Sequence, residues 1–136
     1  MQIVFHWQGI LLASLVGVIV SAIWYSPLVF LKLWQRLSGL SDEQLKAGMG
    51  PLGWLVLALV GSFATALCLD GFFNFTGSNN FMMGMMAGLE LFIGLVLPAM
   101  AVEHALAKRP WALLALNLAP LAINAAVMGG LIASMR

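Results

Sequence analysis

Charge is what this chain has least of. Six basic and five acidic side chains serve 136 residues, 8% of the total, where an ordinary soluble domain carries roughly 25%. So few charges cannot cover the surface of a water-soluble domain, and a net charge of +1 leaves no electrostatic footprint for nucleic acid. A single cysteine, Cys68, excludes an intrachain disulfide or paired-thiol relay and reads as a small apolar packing residue. The sequence holds no glycine-rich phosphate loop, HExxH or CxxC, and no nucleophile–base–orienter set falls in one layer. No catalytic activity, cofactor or metal is therefore expected.

What fills the chain instead is long apolar runs. Hydrophobic residues make up 62%, and four runs each reach the roughly 20 residues that cross a ~30 Å hydrocarbon core. The expected fold is an all-α membrane protein in one domain, a bundle of four transmembrane helices over about 7–30, 52–72, 81–102 and 111–134. The N-terminal run lacks the basic n-region of a secretory signal and is too long for a signal core, so it reads as an uncleaved first span.

Between the first two spans, Phe30, Leu33, Trp34 and Leu37 recur at helical spacing, with Lys32, Gln35 and Arg36 on the other face. That pattern predicts a short amphipathic interfacial helix over about 31–38. Gly39 can end it, and Ser41 with Gln44 forms a capping box for another short helix through Lys46. Lys32, Arg36, Lys46, Lys108 and Arg109 lie on one side of the bilayer, against Arg136 alone on the other. By the positive-inside rule both termini face outward. Trp24, Tyr25, Trp34 and Trp111 stand near span ends as interfacial anchors.

One carboxylate, Glu90, interrupts the third run. An ionisable group at membrane depth is costly and commonly functional. Counting ~1.5 Å per residue, Asn124, Thr65 and Ser21 fall in the same layer, ~13 Å below the outer end. Asn117 shares a face with Asn124, and Pro120 between them frees a carbonyl for another partner. Two readings stay open: a protonatable site in a small-solute or proton-linked transporter or channel, and a hydrogen-bonded glue between helices in a non-catalytic membrane binder or accessory protein. The substrate is not specified by any residue pattern. Asp70, His6 and His104 lie near span ends, where their side chains are expected to reach water.

Small residues mark where helices approach. Gly84 and Gly88 form a GxxxG on the third span, and Ala13, Gly17 and Ser21 form a ridge on the first. The surplus of such ridges predicts a homodimer through Gly84 and Gly88. Met82, Met83, Met85 and Met86 point around the helix and read as adaptable packing rather than a thioether copper site.

The string Trp24-Tyr25-Ser26-Pro27, then Leu33-Trp34, Leu37-Ser38-Gly39-Leu40-Ser41, Gly94-Leu95-Val96-Leu97-Pro98, Arg109-Pro110-Trp111, Asn117 and Met128-Gly129, resembles one family across nearly the whole chain. It is the uncharacterised bacterial membrane family catalogued as domain of unknown function 1761. The resemblance implies a four-helix integral protein of the bacterial cytoplasmic (inner) membrane and no established activity. It also implies an apolar residue at the position of Glu90.

Overall fold

The computed structural model describes residues 2–48 and 50–136. Its elements are α1 (Trp7–Trp24), α2 (Leu31–Ser38), α3 (Asp42–Ala47), α4 (Pro51–Thr76), α5 (Phe81–Leu91), a π-helical segment (Phe92–Val96), α6 (Leu97–Ala107) and α7 (Trp111–Ser134). The fold is all helical. Four of its helices, with Phe81–Ala107 counted as one, are long and apolar enough to cross a membrane.

Local chemistry sets the boundaries. α1 stops at Trp24, six residues short of the expected end, because Pro27 cannot donate to a helical carbonyl and disfavours helical geometry at Ser26. The Ser26 hydroxyl then caps the turn by donating to the Ile23 carbonyl at 2.7 Å. α2 occupies the span expected for the interfacial helix, and Gly39 ends it at φ 75°, a left-handed conformation that favours glycine. Before α3, the Ser41 hydroxyl accepts from the Gln44 N–H while the Gln44 side chain accepts from the Ser41 N–H, a complete capping box.

The third span contains an irregularity that run lengths do not announce. Leu97 N–H donates to the Phe92 carbonyl, five residues back, and Pro98 follows at once. A π turn inserts one extra residue and rotates the faces of α5 and α6 relative to each other.

The spans are arranged as an arc rather than a closed square. α7 packs along α5, α1 lies against both α7 and α4, and α4 scarcely touches α5 although residues 77–80 join them directly. The α5–α7 seam is the closest. A Cβ on Gly84 would collide with the Gly129 carbonyl, and one on Gly88 with the Ala125 carbonyl. GxxxG therefore lets two backbones of the same chain meet. This corrects the expectation of a dimer contact at Gly84 and Gly88, because both glycines are buried inside the protomer. Ala13 and Gly17 are likewise used internally. Ala13 is fully buried, and a Cβ on Gly17 would lie 2.9 Å from both Met128 Sδ and Ser62 Oγ.

Ile10, Ala13, Ala66, Leu69, Phe73, Ala87, Met128, Ile132 and Ala133 form the dry core. They come from the start of α1, the later half of α4, the middle of α5 and the end of α7. The core thus sits toward one end of the bundle, and away from it α4 and α5 part.

Candidate functional site

Where α4 and α5 part, they leave a cleft of about 540 Å³. Its walls are Ala58, Thr65 and Cys68 on α4 and Leu91, Leu95 and Val96 on α5 and the π segment; Asn124, Ala125 and Met128 of α7 close its back. Cys68 is thus exposed to the cleft rather than packed away. The walls are apolar, with Ser21, Ser62, Thr65 and Asn124 supplying the polar groups.

Asn124 is the chemically informative member. Its Nδ2 donates to the Ser21 hydroxyl at 3.2 Å and to the Gly17 carbonyl at 3.4 Å. Because a carbonyl can only accept, the amide orientation is fixed by this pair. That leaves Oδ1, which is buried and has no hydrogen-bond partner among the described residues. An unpaired buried acceptor costs roughly 1–3 kcal/mol, and Oδ1 is closed to solvent in this arrangement, so a donor in the cleft reaches it only if the Asn124 side chain turns. Thr65 satisfies its own hydroxyl on the Gly61 carbonyl, 2.9 Å away.

The structure therefore brings Asn124, Ser21 and Thr65 to one cleft, as the depth count expected, and leaves Glu90 out of it. Glu90 is exposed on the opposite side of α5. At ~100° per residue, the cleft-lining Gly88, Leu91 and Leu95 lie more than a quarter turn from it. Equal depth did not imply equal facing.

Asn117 serves a different site, at the α2 end of the bundle. Its Oδ1 accepts from the Tyr25 hydroxyl and from the Trp34 indole N–H, each at 3.1 Å. Burial pushes the Tyr25 phenol above its usual value, which keeps it a donor. The Trp24 indole donates to the Leu116 carbonyl at 3.0 Å. Pro120, lacking an N–H, leaves that carbonyl without its helical partner, so the freed acceptor expected from the sequence is taken by Trp24. These aromatics do more than anchor an interface. Trp111, at 63% exposure, has only the anchoring geometry.

At the other end, sequence reasoning missed a buried ion pair. Asp70 is 0% exposed rather than open to water. Its carboxylate accepts from the His6 backbone N–H at 2.9 Å and from Arg136 Nη1 at 2.8 Å, with His6 Nδ1 3.1 Å away. Arg136 also donates to the Asp70 carbonyl at 2.8 Å. Asn74 ties residue Val4 to the same turn, donating to its carbonyl and accepting from its N–H. The available signal was that His6, Asp70 and Arg136 are the ionisable groups of that side; sequence separation hid the pairing. His104 is also buried rather than solvated, with Nδ1 3.3 Å from the Met100 carbonyl and Nε2 lacking a partner among the described residues.

Among the described residues no group of three or more His, Cys, Asp or Glu is placed to hold a metal ion. No curated protein and no solved structure matches the chain. The family model described as protein of unknown function (DUF1761) matches residues 8–133, and the chain belongs to that family.

Proposed function

We propose that this protein is a non-catalytic membrane binder whose cleft between α4 and α5 receives an apolar, lipid-like molecule bearing one hydrogen-bond donor. The observation that carries the reading is an apolar cleft of about 540 Å³ with Asn124 in its back wall; a turn of that side chain would present its buried, unpartnered Oδ1 to a ligand. Ligand sites are commonly apolar concavities with a few convergent polar groups, and a hydroxyl is the simplest group to complete this one. Asn124 lies 13 residues into α7, ~20 Å from its start, so the donor would be read deep in the bilayer. A transport role centred on Glu90 draws no support from this geometry, since the carboxylate faces away from the cleft.

A photoactivatable long-chain alcohol, incorporated into liposomes with the protein, tests the proposal. Cross-links should concentrate on Thr65, Cys68 and Leu95. Thr65→Trp, which fills the cleft from an exposed position, should remove most of them. Equal labelling of the cleft and of exposed Leu57 would defeat the reading.

For orientation we propose both termini outward, in a bacterial cytoplasmic membrane. Support comes from the five-to-one basic asymmetry, sharpened because Arg136, the one basic residue on the sparse side, is paired with Asp70. A cysteine at exposed Asn79 in a Cys68-free background should label from outside, and one at Lys46 only after permeabilisation. The reverse pattern refutes it.

A further inference from the structure

α5 has two unlike faces. Gly84, Ala87 and Gly88 are buried, and the two glycines abut α7. Around the helix, Met83, Met86, Glu90 and Ile93 fall within a stripe ~80° wide at ~100° per residue, and all four are exposed. Among the described residues, Glu90 is the only exposed acidic or basic side chain well inside the four spans. It stands ~13 Å from the Phe81 end and ~26 Å from the Ala107 end of its span, by ~1.5 Å per residue. A side chain with two methylenes does not reach water from that depth, and polar groups at such positions meet protein partners.

We infer that this stripe is the contact of a homodimer in which the Glu90 carboxyl groups of two copies hydrogen-bond to one another. A two-fold axis along the membrane normal sets each residue opposite its own copy at equal depth, so the partner's Glu90 is brought level by symmetry alone. A carboxyl group holding its proton both donates and accepts, and two of them satisfy each other with no further residue. Gly94 lies one turn beyond Glu90, and a Cβ built there would meet nothing within 4 Å. That opening admits the partner's side chains beside the carboxyl pair. Met83 and Met86, flexible thioethers, suit an adaptable self-contact. The dimer face and the cleft are on different sides of α5, so either can fail without the other.

Cross-linking in native lipid, in a Cys68→Ala background, reads this directly. Ile93→Cys should form a disulfide-linked dimer under mild oxidation, while Leu57→Cys on the exposed face of α4 should not. In reconstituted bilayers, energy transfer between labelled copies should show Glu90→Leu weakening the dimer roughly 10- to 1,000-fold, the worth of the two interhelical hydrogen bonds of the pair. Glu90→Gln should keep it, since paired amides replace paired acids. A monomeric wild type, Leu57→Cys linking as readily as Ile93→Cys, Glu90→Leu without effect, or Ile93→Cys linking to a chain of another mass would each overturn the inference.

Discussion

The two ends of this bundle are fastened by opposite chemistry. At one, Asp70, His6 and Arg136 form a buried ionic knot that ties both ends of the chain to α4. At the other, Asn117, Tyr25, Trp34 and Trp24 form neutral hydrogen bonds that hold the α1–α2 turn against α7. The dry core lies beside the ionic end, and the cleft opens away from it. A buried carboxylate must be paired, which fixes its surroundings in one arrangement. A neutral network tolerates the loss of one bond with a smaller penalty. The dry core and the ionic knot hold the spans together at the Asp70 end, and α4 and α5 part away from it, leaving the room a ligand needs.

That contrast can be broken by substitution at each end, measured as unfolding free energy in mild detergent. Asp70→Ala strands Arg136, whose side chain is only 12% exposed, and should cost about 3–5 kcal/mol. Asn117→Leu leaves the Tyr25 hydroxyl and Trp34 indole seeking other acceptors, and should cost about 1–3 kcal/mol. Equal losses, or a larger one at Asn117, would erase the distinction.

A finer test concerns Trp24 and Pro120. Trp24→Phe should cost about 0.5–1.5 kcal/mol, one hydrogen bond's worth. Pro120→Ala restores a backbone N–H able to serve the Leu116 carbonyl, so in that background Trp24→Phe should cost measurably less. A double-mutant cycle with no coupling would mean that the indole is not compensating for the proline.

The contrast also explains what the sequence made legible. Span number, the short amphipathic helix over Leu31–Ser38 and the Ser41–Gln44 cap follow from local rules of run length, periodicity and capping. The Asn117 end was half visible, because Trp24-Tyr25, Trp34 and Asn117 all belong to the residues that carry the family resemblance. The Asp70 end was hidden, since its partners are 64 and 66 positions away and no local rule joins them. Facing was the harder problem. A span apolar on all sides has no polar face to betray which way it turns, so GxxxG reads as outward-facing although it packs on α7, and Glu90 as inward-facing although it is exposed. Depth along a helix could be counted; rotation about its axis, further altered by the π segment, could not.

The central claim, that the cleft backed by Asn124 is a binding site, is tested most directly by a cryo-electron microscopy map of the protein in lipid nanodiscs. The account predicts elongated density between α4 and the Phe92–Val96 segment, its polar end within hydrogen-bonding distance of Asn124 Oδ1. A map in which α4 closes against α5, with Asn124 Oδ1 bonded inside the protein and no density between the helices, would contradict it.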